Sequence, residues 1–514
     1  MVDAPLPVLS LLVAVPLIGA ALVLLLPARR ARWAAPLSLA FSLVPLLLSV
    51  YLYALVRSSP APAGAQGHLS GESLHFEEIH SWVPSLGITY AIGVDGMSLP
   101  LVLLTALLSF LAILFSWPES HRPREYFGLM LLMEVGVMGV FMALDFFLFY
   151  IFWEVVLIPM YFLIGIWGGP RKDYAAIKFF IYTHVASVVM LLGIMGLYFQ
   201  CGDAIGYSTF SMVEISKVSP ALQPGFQYVV FAALFFGFAV KMPSVPFHTW
   251  LPDAHVEAPT AGSVLLAGLL LKMGGYGLLR VAIPLLPEAA EAAVPAMVLL
   301  GVASIVYGAI VCLAQSDLKK MVAFSSISHM GFVMLGASTL SPIGISAGVF
   351  QMFNHGLVTA VLFMMCGVFH HSAGTREIGR LGGLAHRIPA AAAVFLAGSL
   401  ASLGLPGLCS FVSEFLVFYS AFVAHGVWMW VPVIAVVLTA AYYLWAAQRV
   451  LFGPLRVDLP ESERGHLDDL RAHEAAALGV LLALIVLLGI FPSAVLDLTN
   501  SAGLSIAALF GGVG

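Results

Sequence analysis

Charge is what this chain has least of. Its 514 residues include 22 Lys and Arg and 27 Asp and Glu, 10% in all, against roughly 25% in a soluble globular protein. So little charge cannot cover a water-exposed surface of this size, which excludes a soluble fold. The formal net charge of -5 leaves no basic stripe for a phosphate backbone, so no nucleic-acid partner is expected. Cysteine is almost as scarce: Cys201, Cys312, Cys366 and Cys409 stand far apart without CxxC spacing. That spacing indicates neither a disulfide framework nor an iron–sulfur or zinc site, so neither metal nor cofactor is expected on this chain. No low-complexity or linker segment marks a second domain.

Apolar residues are abundant instead, at 61%. A bilayer span takes about 20 of them, and runs of that kind lie near 7–27, 33–56, 99–117, 127–144, 146–167, 174–199, 228–255, 258–280, 293–314, 320–338, 343–370, 389–422, 429–451 and 475–497. The sequence therefore predicts an all-α polytopic membrane protein of about 14 transmembrane helices. The charges Arg29, Arg30 and Arg32 follow the first run, which is the order of a retained span and not of a cleaved signal peptide. Alternating from an outer N-terminus, one face collects these arginines with Arg122, Arg124, Arg171, Lys172, Lys319, Lys320, Arg376, Arg380, Arg387, Arg456, Arg464 and Arg471, while Arg57, Lys217 and Arg280 fall opposite. By the positive-inside rule the first face is cytoplasmic, and both termini lie on the outer, periplasmic side. Two polar stretches, Ser58 to Asp95 outside and Gly453 to Glu474 inside, read as loops with room for a short amphipathic helix. The second is a connector to the last helix.

An ionisable group at the bilayer centre costs about 2.5–3.5 kcal/mol or more, so it needs a partner, a water cavity or a function. Glu134, Glu154, His184, Lys241, Lys272, His329 and His355 all fall within roughly 6 Å of a span midpoint at 1.5 Å per residue, and Glu414 lies deep in an interrupted run. Together they describe a polar line across the membrane plane. Lys178 sits near the cytoplasmic boundary, where snorkelling explains it, and Asp145 marks an outer turn. For His184 a packing role weighs as much as proton transfer, and Glu134 stands as a further candidate beside a structural acid. Glu154, Lys241, Lys272 and Glu414 carry both signs at similar depth and are the stronger proton carriers, because a neighbouring charge decides whether each holds its proton.

Proline adds a second signal. In AVKMPSVPFHTWLPDAH, Pro243, Pro246 and Pro252 break a helix just after Lys241, and Gly404, Leu405, Pro406 and Gly407 break another before Glu414. Two interrupted helices at matching places point to inverted repeats. The organisation predicted is an N-terminal three-helix segment (1–126), two five-helix repeats (127–280 and 293–451), and a connecting loop with a C-terminal helix (452–514).

The segments DFFLFYIFWEVVLIPMYFLIGIWG, AVKMPSVPFHTWLPDAHVEAPTAGSVLLAGLLLKMGGYGLLR, SDLKKMVAFSSISHMGFV and FNHGLVTAVLFMMCGVFHHS resemble the antiporter-like proton-pumping subunits of respiratory complex I, the bacterial NADH-quinone oxidoreductase. The likeness is to the M type, the counterpart of mitochondrial subunit four, and extends over nearly the whole chain. It implies broken helices seven and twelve, proton transfer by Glu154, Lys241, Lys272 and Glu414, and relay by His248, His329 and His355. Sister subunits usually carry lysine where FVSEF has Glu414, so glutamate favours the M type over L or N. It also implies that FMN, iron–sulfur clusters and quinone belong to other subunits, and that the partners are neighbouring antiporter-like membrane chains in a bacterial inner membrane. Photosynthetic D-type subunits, cation/proton antiporters and membrane-bound hydrogenase chains share parts of these motifs and are the alternatives.

Overall fold

A computed structural model describes residues 7–58, 74–458 and 466–511; Arg464 and residues 59–73 of the outer polar stretch lie outside them. In hydrocarbon each backbone N–H and C=O must find its partner within the chain, and a helix provides all of them in one segment. Every apolar run accordingly becomes a helix or a broken one. In order these are α1 (Val8–Leu24), α2 (Ala34–Ser58), α3 (Ser98–Phe115), α4 (Pro123–Met142), α5 (Phe146–Val155), α6 (Leu157–Trp167), α7 (Lys172–Ile205), α8 (Met212–Val218), α9 (Pro224–Lys241), α10 (Trp250–Glu257), α11 (Thr260–Leu265), α12 (Leu271–Gly277), α13 (Ile283–Leu285), α14 (Pro287–Leu313), α15 (Leu318–Ser338), α16 (Pro342–Ala373), α17 (Pro389–Ser402), α18 (Cys409–His425), α19 (Trp430–Leu451), α20 (Ala472–Ile490) and α21 (Ser493–Ala507). Wider π turns at Leu266–Leu270 and Leu278–Ala282 join α11, α12 and α13 into one 26-residue stretch. Proline opens α4, α9, α14, α16 and α17, where its missing N–H costs nothing.

Among the described residues 13 stretches are long and apolar enough to cross a membrane. These include α21 and join α18 to α19, whereas α1, at 17 residues, falls just short. Thr260–Leu285 and Leu318–Ser338 are enclosed by protein along their whole apolar length and Pro342–Ala373 nearly so, whereas α2, α7 and α14 present much of their surface outward. The enclosed helices are the ones that carry Lys272, His329 and His355.

Two expectations are corrected. Beyond Ser58, the described part of the first polar stretch forms no α-helix but a hairpin, β1 (Phe76–Val83) paired antiparallel with β2 (Ile88–Val94) through a 3-10 turn at Pro84–Leu86 that ends on Gly87 with φ +66°. The β-branched residues Ile79, Val83, Ile88, Thr89, Ile92 and Val94 favour strands. The hairpin also caps helices: Glu78 accepts from Leu9 N and Ser10 N at 2.9 and 3.0 Å, and Asp145 accepts from Thr89 N at 2.9 Å while capping α5 through Phe147 N at 2.9 Å. Asp145 is therefore buried at the turn beneath the hairpin.

The last apolar run, 475–497, is not one helix. Pro492 follows the end of α20 at Ile490, and α21 sets off in a new direction. Tyr53 Oη donates to Ala494 O at 2.8 Å, Arg57 pairs with Asp497 at 3.1 Å, and Ser346 Oγ bonds Thr499 Oγ1 at 2.6 Å. These partners lie at the end of α2 and the start of α16, so α21 packs at the hairpin end of the bundle. On the opposite, basic face β3 (Leu381–Gly382) pairs with β4 (Arg456–Val457), and no helix forms in the described part of 453–471.

Candidate functional site

The first predicted break falls where the prolines place it: α9 ends at Lys241, and α10 begins at Trp250. The carbonyls released there are taken up locally, Ala239 O by Ser244 N at 2.9 Å and Val240 O by the Trp250 indole at 3.0 Å. Lys241 itself is buried, its Nζ makes no hydrogen bond, and it lies 5.4 Å from the Trp153 ring. Glu154, next to Trp153, is the carboxylate whose charge reaches it. No ion pair within 4.0 Å forms between them, however. Glu154 Oε2 instead meets His184 Nδ1 at 3.0 Å. Glu154 and Lys241, of opposite sign at similar depth, thus lie close without forming an ion pair, and the carboxylate's hydrogen bond goes to His184. The reason is angular: α7 presents His184 on the side of α5 that carries the carboxylate, while Trp153 occupies the side toward Lys241.

Lys178 is also more than a snorkelling side chain. Its ammonium lies 2.7 Å from Asp253 on α10, which Arg171 approaches at 3.4 Å. Glu134 is fully buried on α4, and neither carboxylate oxygen has a hydrogen-bond partner.

The two lysines lie on segments held together by glycine. Gly274, two residues beyond Lys272, packs so closely on α9 that a Cβ there would sit 2.6 Å from both Met242 N and Phe238 O. Both obstacles are backbone, so they cannot swing away. Gly274→Ala is expected to lower the thermal midpoint of the assembled protein, as overpacking costs about 1–3 kcal/mol, and to reduce activity by moving Lys241 away from Lys272. An unchanged midpoint and activity would mean that α9 and α12 are not locked here.

From Lys272 a series of polar side chains leads across the bundle, hydrogen-bonded at both ends, with His355 Nε2 unpartnered between them. Lys272 Nζ donates to the Ala267 carbonyl in the π turn and lies 2.6 Å from His355 Nδ1 on α16. The His355 and His329 rings have centroids 5.6 Å apart. His329 Nδ1 lies 3.0 Å from Glu414 Oε1, and its Nε2 lies 3.1 Å from Ser402 Oγ. Each ring nitrogen can act as donor or acceptor: beside a carboxylate Nδ1 donates and Nε2 accepts from the Ser402 hydroxyl, and beside a carboxylic acid the two roles reverse. The second break makes this possible, for Ser402 ends α17 and Glu414 lies on α18. Gly404 between them has φ +78°, and a Cβ there would lie 3.2 Å from Glu414 Oε2. Gln351 holds Glu414 from a further side at 3.4 Å and accepts from Ser413 Oγ at 2.6 Å.

His248 does not join the series. It packs 5.0 Å from the Tyr307 ring, with Nδ1 unpartnered. His255, one motif further on, was not singled out from sequence, yet it is fully buried, stacks 4.6 Å from Phe363, and leaves both ring nitrogens unpartnered. The charges that reach it are Lys319 and Lys272. Lys319 donates to Ala258 O at 2.5 Å at the floor of a cleft of about 430 Å³ that opens on the basic face beside Glu257, His370 and Arg376. Ser402 and Gln351 are the other contributors that ranking by charge and depth missed, whereas His184, weighed there equally between packing and proton transfer, meets Glu154. The signal available was the placing of polar residues on the faces of buried helices.

The family model for NADH:quinone oxidoreductase/Mrp antiporter transmembrane subunits matches residues 143–439, which include every one of these groups except Glu134. Subunit M of the F(420)H(2) dehydrogenase of Methanosarcina mazei is 43% identical, over 99% of this chain and all of that one. NADH-quinone oxidoreductase subunit M of Pseudomonas aeruginosa is 42% identical, over 92% of this chain and 91% of its own. A chain of respiratory complex I from Thermus thermophilus superposes with a TM-score of 0.85 at 31% identity, covering 98% of this chain and 100% of that one. With its broken helices and its enclosed lysine–histidine–glutamate series, the chain belongs to the antiporter-like membrane-subunit family common to NADH:quinone oxidoreductases and Mrp antiporters.

Proposed function

We propose that this chain is a proton-translocating membrane subunit of an NADH:quinone oxidoreductase, moving protons along the buried line while redox chemistry proceeds on other subunits. The observation that carries the reading is the series Lys272–His355–His329–Glu414, with contacts of 2.6 and 3.0 Å at its ends, its lysine and histidines on helices enclosed by protein and its glutamate buried on the more outward-facing α18. A proton on His355 would oppose one on His329 by about 3 kcal/mol at an effective dielectric of 20, so protonation at one end alters occupancy at the other. Protons enter from the cytoplasmic, basic face through the cleft at Lys319 and pass by His255 to Lys272. Glu414 releases them toward the hairpin face, which holds both termini. Glu154, His184 and Lys241 form the corresponding unit of a first inverted repeat (127–280), and the helices from 293 to 451 form the second. FMN, iron–sulfur clusters and quinone reside on partner chains. Glu154 and His184 keep 24% and 44% of their side chains exposed in this chain alone; a polar pair facing lipid is costly, so a neighbouring antiporter-like subunit covers it in a bacterial inner membrane.

The test is at Glu414. Glu414→Gln removes the titrating group and is expected to reduce vesicle proton uptake and NADH oxidation together by roughly a hundredfold, the low end of what a positioned proton-transfer group contributes. Glu414→Lys should cost less, because it still titrates beside His329. Full pumping in Glu414→Gln with loss in Glu414→Lys would make Glu414 a fixed counter-charge and sink this route.

A second reading differs only in the electron donor, and the relative from an F(420)H(2) dehydrogenase favours it. Donor choice lies with the peripheral partners, and purified complex assayed with both donors decides it.

A further inference from the structure

A second concave site lies away from the proton line, on the basic face near the N-terminus. The loop between α1 and α2 winds as a 3-10 turn over Ala28–Trp33. Together with the loop between α3 and α4 it encloses a cleft of about 350 Å³ whose lining includes Ala31, Arg32, Trp117, Glu119, Ser120 and Pro123. The two loops and the first turn of α4 carry five arginines, Arg29, Arg30, Arg32, Arg122 and Arg124, of which Arg32 lines the cleft, against two acids, Glu119 and Glu125. Both acids are locally engaged. Glu119 accepts from His121 N at 2.8 Å, and Glu125 lies 3.5 Å from Arg122 and 3.8 Å from Arg124. Arg29, Arg30 and Arg32 are exposed and have no carboxylate within 4.0 Å among the described residues.

Two further features narrow the occupant. The 20-residue helix α4 starts at the cleft with no side-chain cap on its first N–H groups, so its positive end faces the same space as Arg32. Trp33 and Trp117, 50% and 44% exposed, flank the opening at the depth where aromatic side chains mark a membrane interface. Below it the outward faces of α1 and α2 expose Leu22, Leu25, Leu43 and Leu47, with Leu25 80% exposed. An anion that fits both parts carries a phosphate above and hydrocarbon below.

We propose that this cleft binds the phosphate headgroup of an anionic phospholipid, with Arg32 and the α4 N-terminus on the phosphate, Arg29 and Arg30 adding attraction, and the acyl chains lying along α1 and α2. Basic pockets at the cytoplasmic ends of membrane helices recognise such headgroups.

The test uses the assembled complex in lipid nanodiscs carrying a photoactivatable phosphatidylglycerol or, in parallel, the matching phosphatidylcholine. Phosphatidylglycerol is expected to label peptides 25–36 and 117–127 in preference. Arg32→Gln should lower that label about fivefold, the effect of one basic residue near anionic lipid. Ala31→Trp, which fills the cleft without altering charge or topology, should abolish it. Equal labelling by the two lipids, or labelling unaffected by Ala31→Trp, would overturn the assignment. Cross-links from 28–36 to another protein chain would overturn it as well. Full displacement of the lipid by inorganic phosphate would make the cleft a free-anion site and also end the proposal.

Discussion

Lys272→Ala is expected to leave the complex assembled while reducing coupled quinone reduction and proton pumping by roughly a hundredfold or more, within the ~10²–10⁴-fold that a positioned proton-transfer group contributes. Lys272 is fully buried, and its ammonium touches one carbonyl and one imidazole. Alanine removes the only charge the series has at that end and leaves a cavity the length of a lysine stem. His355→Gln and His329→Gln should cost less, since an amide or an entering water keeps a hydrogen-bonded bridge where an imidazole stood. Proton uptake by inverted vesicles, measured beside NADH oxidation and normalised to assembled complex, separates the cases. Equal and negligible losses in all three variants would move the proton path off this series.

Glu154→Gln is expected to have a loss of the same order, also without loss of assembly. The carboxylate is hydrogen-bonded to His184 at 3.0 Å and is the negative charge nearest in influence to Lys241. Glutamine keeps the shape and one hydrogen bond but cannot take or give the proton, and its neutrality strands Lys241 beside Trp153. His184→Ala then becomes informative. If His184 only packs, coupled activity should stay near the parent value; if it shares the proton of Glu154, activity should fall toward that of Glu154→Gln. Near-normal proton transfer in Glu154→Gln at normal assembly would remove both residues from the path.

Helices, breaks and depth were open to sequence reasoning because each has a one-dimensional cause. Apolar length fixes a span, Pro243 and Pro246 end α9 at Lys241, and Gly404 with Gly407 opens the gap before Glu414. Angle was not open to it. Glu154, His184 and Lys241 share a depth, but only the packing of α5 against α7 and α9 decides that the carboxylate turns to the histidine. In the same way His248 and His255 lie seven residues apart in one motif, and folding sends the first against Tyr307 and the second toward the two lysines. Neutral partners such as Ser402 and Gln351 gave no charge signal at all. The hairpin was missed because its strands lie in a polar stretch where only the alternation of β-branched residues marks them.

The π turns on either side of Lys272 have a consequence of their own. A π turn is an α-helix with one residue too many, so the stretch Thr260–Leu285 carries two surplus residues. Each shifts the angular phase of everything beyond it by about 100°, the rotation of one helical residue. The direction in which Lys272 points is thus written in chain length and not in the identity of its neighbours. Deleting any one residue between Leu266 and Leu270 would tighten the helix to ordinary winding and swing the ammonium off His355, although the lysine and both histidines would all still be there.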